Sequence, residues 1–222
     1  MDKNKSLNKK KYNISILNLN CGNISSIYNA LKYIGVNPII TIDKEEIKSS
    51  DGVIVPGNGN FNHVMKFIKE KKLSDTIYNY VMVEKKPYLG ICIGFQILFN
   101  SSTEDNVQSK GLSFLPGKLK IIENKLKIDN FSLPHIGWNT VTLKKNNCIL
   151  NGLGNNLDFY FMHSYIVLDA DYSFVTSTCE YGEKFISSVE KANISAIQFH
   201  PEKSHDKGIN LLSNWVYKHV KN

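Results

Sequence analysis

Along the N-terminal part of the chain, short unbroken apolar blocks alternate with stretches in which apolar residues recur every three or four positions. The blocks at 14–19, 38–42 and 52–55 have the length of buried strands. Between the first two, Ile24, Ile27, Tyr28, Leu31 and Ile34 fall on one helical face that Gly35 closes, opened by the turn Asn20-Cys21-Gly22-Asn23. Two more helical patterns run at 61–70 and 74–84, and an apolar strand then rises to Cys92. Strand alternating with helix predicts a doubly wound, mostly parallel sheet with helices on both faces. Beyond it the spacing changes. Residues 119–122, 140–143, 158–162, 174–178 and 185–189 are strand-like with short polar connections, which predicts an added antiparallel layer. Residues 194–199 read as a last buried strand, and Ile209, Leu212, Trp215 and Val216 mark a C-terminal helix. The expected fold class is therefore α/β. No repeat or linker divides the chain, so 12–222 is expected to be one domain behind a disordered basic tail at 1–11.

Composition narrows the picture. A chain of 222 residues with 42% hydrophobic residues can bury a full core. The four cysteines, Cys21, Cys92, Cys148 and Cys179, have no Cys-x-x-Cys spacing, so no zinc ribbon or dithiol motif is indicated, and free thiols in a reducing cytosol are expected. No apolar run is long enough to span a bilayer, and the polar, basic N-terminus has no apolar segment behind it, so neither a membrane anchor nor a secretory signal is expected and the location read from the chain is cytoplasmic. The net charge is +7, carried by 27 lysines and no arginine. Apart from Lys9-Lys10-Lys11 these are scattered. Nucleic-acid readers lean on arginine forks and clustered basic stripes, so no nucleic-acid partner is expected.

The chemistry concentrates in two stretches. In Pro87-Tyr88-Leu89-Gly90-Ile91-Cys92-Ile93-Gly94-Phe95-Gln96, glycines stand two positions before and two after a cysteine. A buried strand that turns sharply into a helix needs this spacing, because the glycines remove side chains that would collide and leave the cysteine at the tip. The second stretch is Gln198-Phe199-His200-Pro201-Glu202. A thiol nucleophile needs a base, and the base an orienting group. His200 stands at a strand end level with Cys92, and Glu202 can turn back to the far imidazole nitrogen, giving a Cys92-His200-Glu202 triad. The glycine-bearing loop Pro56-Gly57-Asn58-Gly59 is a candidate oxyanion hole, since its peptides can reorient toward a developing negative charge. No Gly-x4-Gly-Lys-Ser/Thr segment supports a nucleotide-binding loop.

With Leu133-Pro134-His135-Ile136-Gly137-Trp138-Asn139 and Phe159-Tyr160-Phe161-Met162-His163-Ser164-Tyr165, these stretches resemble the class I glutamine amidotransferases, and within them the glutaminase subunits of imidazole glycerol phosphate synthases. The resemblance covers nearly the whole chain beyond the tail. It implies hydrolysis of L-glutamine to glutamate and ammonia, with Cys92 as nucleophile, His200 as base and acid, and Glu202 holding His200. It implies that Gly57 and the amide of Ile93 hold the oxyanion. Gln96, Glu104, Ser164 and Tyr165 match positions that contact the bound amino acid; Glu104 would pair with its ammonium. Trp138, Tyr160 and Lys203 match a face that docks a (β/α)8-barrel synthase subunit, as a heterodimer through which ammonia passes. No metal or organic cofactor is implied. The chain departs from the family at Asn18-Leu19-Asn20-Cys21-Gly22-Asn23, where Asp-Tyr-Gly-x-Gly-Asn is usual, and at Asn58, where valine is usual. These departures leave open a relative that supplies ammonia for amidination of a surface-polysaccharide sugar, or a non-catalytic docking subunit.

Overall fold

The computed structural model describes residues 11–106, 108–146, 148–168 and 170–221; residues 1–10, most of the expected tail, lie outside them. Strands β1 (Asn13–Leu17), β2 (Asn37–Thr41) and β3 (Gly52–Val55) alternate with helices α1 (Ile24–Tyr33) and α2 (Lys44–Ser49). Helices α3 (Phe61–Glu70) and α4 (Ser74–Tyr78) follow, α4 running on as a π-helical turn at Asn79–Val83. Then come β4 (Tyr88–Ile91) and the single-turn α5 (Ile93–Gln96). The second half contributes β5 (Ser101–Ser102), β6 (Ser109–Lys110), β7 (Lys118–Ile121), β8 (His135–Leu143), β9 (Asp158–His163), β10 (Tyr165–Leu168), β11 (Val175–Tyr181), β12 (Glu183–Lys191), β13 (Ile194–Ile197) and α6 (His205–Trp215).

Nine strands form one sheet in the order β2-β1-β3-β4-β13-β12-β11-β8-β9. The first five run parallel; from β13 outward the pairings are antiparallel. The antiparallel strands expected in the second half thus lengthen the parallel sheet, and a small sheet β10-β7-β5-β6 stands beside it. Side-chain alternation along the central strands divides the core in two. Val53, Val55 and Tyr88 pack with Val64, Ile68 and Ile77 of α3 and α4. Ile54, Leu89 and Ile91 pack with Ile27 and Leu31 of α1 and Leu212 and Trp215 of α6. Both faces are covered, which is why these strands are almost unbroken runs of apolar residues.

Strands β5, β6 and β10 are not expected from the sequence, and three further elements differ from the sequence reading. Helix α2 offers one apolar residue, Ile47, to a periodicity search; it is made instead by Asp43, whose carboxylate accepts the Glu45 and Glu46 N–H groups. Strand β8 begins at His135, five residues before the apolar block that marks it, because its outer residues are exposed. The helix expected after Cys92 is one turn long, although Phe95, Ile97, Leu98 and Phe99 are all buried.

The sheet also coils. Strand β9 is last in the sheet order, yet its Tyr160 carbonyl accepts the His200 N–H just past β13 at 2.8 Å, and its Tyr160 N–H donates to Ser204 Oγ at 3.0 Å. The accumulated strand twist brings the far edge back over the carboxyl end of the centre.

Candidate active site

Cys92 has φ 52° and ψ −101°, a strained backbone for a residue with a side chain. The flanking glycines make the turn possible. A Cβ on Gly90 would lie 2.3 Å from the Gly94 carbonyl oxygen, and one on Gly94 would lie 1.8 Å from that of Val55. The Cys92 N–H donates to the Ile197 carbonyl at 2.8 Å, which ties the tip to the end of β13. His200 follows three residues later, and its Nδ1 is 2.8 Å from Glu202 Oε1. Pro201 packs so closely on α6 that a Cβ on Gly208 would lie 1.8 Å from its carbonyl oxygen, so Gly208 lets the helix seat the turn that carries Glu202.

Burial works to lower the pKa of His200, but the nearby Cys92 thiolate and the Glu202 carboxylate outweigh it, so the imidazole is held well above its usual range. Among the described residues, its Nε2 has no hydrogen-bond partner. Cys92 Sγ lies 3.7 Å from the Met162 carbonyl oxygen.

A cavity of about 240 Å³ opens on Cys92 and is also lined by Gln96, Glu104, Ser164 and Tyr165, so the four expected substrate contacts share one pocket with the cysteine. Glu104 Oε2 accepts the Phe61 N–H at 2.6 Å, and burial raises its carboxyl pKa. Beside it, Asn60 donates to Asp105 Oδ2 at 2.7 Å and so anchors the end of the glycine loop. The loop itself has an unexpected polarity. The Ile93 N–H donates to the Gly57 carbonyl at 3.2 Å. Gly57 therefore enters the site with an acceptor, and Ile93's donor is engaged. A second cavity of about 420 Å³ lies on the other side of this loop, against His200, Glu202 and Lys203, and Asn58 lines both.

The residues that depart from the family pattern meet here. Cys21 Sγ lies 2.6 Å from where a Gly57 Cβ would stand, and a Gly22 Cβ would lie 2.5 Å from Asn58 Oδ1. The altered first turn is the floor of the altered loop. Burial, with a contribution from Cys92, pushes the Cys21 thiol up to about 11.

Behind the pocket is a buried imidazole pair that the motifs contain but that sequence reasoning gave no role. His163 Nδ1 lies 2.9 Å from the Tyr165 carbonyl, which can only accept, so Nδ1 carries the proton. His163 Nε2 then accepts from His135 Nδ1 at 3.2 Å, and His135 Nε2 accepts from Asn139 Nδ2 at 3.3 Å. His135 is stacked between Phe161 and Tyr181. Burial lowers His135 to about 4 and His163 to about 3, the latter helped by its two imidazole neighbours.

The three residues expected at a docking face form one cluster. Trp138 meets Tyr160 edge-on with centroids 6.1 Å apart, and Lys203 Nζ lies 5.8 Å from the centre of the Tyr160 ring. Trp138 is 48% exposed, which is not the state of a core residue. Among the described residues, no helix is long and apolar enough to cross a membrane, and no cluster of His, Cys, Asp and Glu could hold a metal ion.

An elbow cysteine, a buried histidine–glutamate pair and an α/β sheet that presents them at its carboxyl ends are the parts of a cysteine-nucleophile site. The model of the family "Glutamine amidotransferase class-I" matches residues 17–219, and the chain belongs to that family. It is 38% identical over 208 residues to imidazole glycerol phosphate synthase subunit HisH of Pelagibacter ubique, covering 92% of this chain and 99% of that protein. It is 42% identical over 204 residues to subunit HisH 2 of Methanococcus maripaludis, covering 91% and 98%. The fold is similar to that of PurLQS from Thermotoga maritima, with a TM-score of 0.71 at 19% identity over 94% of this chain and 99% of that one. A glutamine amidotransferase from the same organism gives 0.68 at 12%, over 96% and 100%.

Proposed function

We propose that this chain is the glutaminase subunit of an imidazole glycerol phosphate synthase, serving histidine biosynthesis. It hydrolyses L-glutamine and passes the ammonia to a (β/α)8-barrel synthase subunit with which it forms a heterodimer. The observation that carries the reading is Cys92 at a strained tip, opening on a pocket that Glu104 lines, with the His200–Glu202 pair bordering the cavity across the glycine loop. The names of the relatives, similar along nearly their whole length, favour this pathway over amidination of a surface sugar.

In the reaction, Cys92, whose proton is held by His200, attacks the side-chain amide carbon of glutamine, which Glu104, Gln96 and the Ser164–Tyr165 segment hold by its charged end. His200 changes character as the bond forms. Part of what holds its proton is the negative charge on Cys92. Once that charge has moved onto the substrate oxygen, burial favours the neutral ring, and the proton passes to the leaving nitrogen. Water then hydrolyses the thioester with His200 again as base. The substrate oxyanion needs donors where the Gly57 carbonyl now points. Rotating the Gly57–Asn58 peptide turns the Asn58 N–H into that place and frees the Ile93 N–H. Docking of the barrel on the Trp138–Tyr160–Lys203 face, beside the cavity that Asn58 borders, is the event that favours this rotation.

The test is glutamate release from L-glutamine by the purified chain, alone and with a barrel synthase subunit, beside Cys92→Ala. Release that rises with the barrel and disappears in the variant is expected. Equal release from Cys92→Ala would overturn the assignment of the nucleophile.

A further inference from the structure

Gln198 lies two residues before His200 and is fully buried. A buried side-chain amide is costly unless each end finds a partner, and here the partners fix which end is which. The Tyr165 carbonyl can only accept, and Gln96 Nε2 is 3.2 Å from it, so Gln96 presents its NH2 group there. The same NH2 group is 3.0 Å from the other amide, which must meet it with oxygen, Gln198 Oε1. Gln198 therefore turns its own NH2 group to the remaining neighbour, and that neighbour is Cys92 Sγ at 3.6 Å. The Tyr165 carbonyl is held from its other side by His163, so both arms of the network end on one fixed acceptor.

We infer that Gln198 is a further catalytic residue, whose side-chain N–H donates to the Cys92 sulfur and stabilises the negative charge it carries before attack. Gln96, held by the Tyr165 carbonyl, is the positioning residue that keeps Gln198 from turning its oxygen toward the sulfur. This rests on the reading of Cys92 as nucleophile. An amide suits the task because it accepts at one end while it donates at the other; a carboxylate in its place would repel the thiolate. The contribution separates from that of His200. His200 takes the proton, whereas Gln198 has no proton to exchange and acts on the charge left behind. The titratable side chains that face Cys92 are His200, on the turn after β13, Cys21, in the loop after β1, and Glu104 and His163, which line its pocket. Glu202 acts through His200.

The experiment is the rate at which iodoacetamide alkylates Cys92, followed from pH 6 to pH 10 by mass mapping of the labelled peptide, in the full chain and in Gln198→Leu and Gln198→Glu. A hydrogen bond to a charged group predicts labelling of Gln198→Leu slowed about tenfold to a hundredfold at pH 7, with the deficit closing as the pH rises. Gln198→Glu keeps the shape and the bond from Gln96, and is expected to be slower still near neutrality; if the leucine variant does not fold, this variant decides. A purely structural role would lower labelling by the same factor at every pH, or not at all, and either result would overturn the inference. Wild-type labelling that spares Cys92 at every pH would overturn the reading of the nucleophile itself; wild-type labelling of Cys92 with unaffected variants would remove Gln198 alone.

Discussion

Two buried imidazoles flank the catalytic region, His163 in the wall of Cys92's pocket and His200 in that of the cavity across the glycine loop, and the structure drives them in opposite directions. His200 and His163 are both almost fully buried, and burial alone makes an imidazole easier to deprotonate. His163 obeys that rule because its partners are a carbonyl and another neutral ring. His200 breaks it because a carboxylate lies on one side and a thiolate on the other. The difference shows that burial does not choose which histidine does chemistry. The choice comes from the charge of the neighbours: one ring is built to carry a proton and the other to stay neutral and hold a wall in place.

The largest break comes from removing the charged side of the pair. His200→Asn is expected to lower glutamate release between about a hundredfold and ten-thousandfold, the usual range for a general acid–base. Glu202→Gln sharpens the comparison. It leaves a group that can accept from Nδ1 but takes away the carboxylate charge, so His200 moves toward the state of His163. About a hundredfold less glutamate release is expected, together with a lower imidazole pKa by NMR titration.

Acid separates the two regions by stability. The His135–His163 pair titrates below its unfolded value of 6.5, so the unfolded chain takes up protons first and stability falls as the pH drops from about 6.5 toward about 4 for His135 and about 3 for His163. At pH 5 the cost is about 2 kcal/mol per histidine, from 1.36 kcal/mol for each unit below 6.5. The raised His200 behaves in the opposite sense: its contribution is complete in acid and is lost as the pH climbs through its raised value. Urea midpoints at pH 7 and pH 5 should therefore converge in His163→Gln relative to the unaltered chain. The smallest effect is expected from Asn139→Ala, which takes the donor from His135 Nε2 at the end of the network. It should cost about 1 kcal/mol by the same measurement and leave glutamate release unchanged at pH 7.

Local necessity decides which of these features can be read from sequence. Gly90 and Gly94 announce the elbow because the turn cannot be built with a Cβ at either place, and that requirement is written at fixed spacing around Cys92. His200 and Glu202 are two residues apart, so their pairing is also local. The imidazole pair and Gln198 are different. His135 and His163 are 28 residues apart in sequence, and Gln198 meets Gln96 across 102. Nothing in the pattern of either stretch says that they touch: the β8–β9 pairing sets His135 opposite His163, and the parallel β4–β13 pairing brings Gln198, just past β13, beside α5 and its Gln96. The Gly57 carbonyl is a third kind of omission. Sequence marks a loop that can turn its peptides but not which way they point, and here the acceptor faces the Ile93 N–H. Helix α2 escaped because a cap, not an apolar stripe, makes it.

The most direct test of opposed imidazoles is an NMR titration of the chain labelled with nitrogen-15 in its six histidines, the signals assigned with single His→Gln variants. The account predicts that at pH 7 His200 carries protons on both ring nitrogens, while His163 carries one, on Nδ1, and shows no midpoint near 6.5. A neutral His200 at pH 7, or a His163 that titrates like a solvent-exposed imidazole, would contradict it.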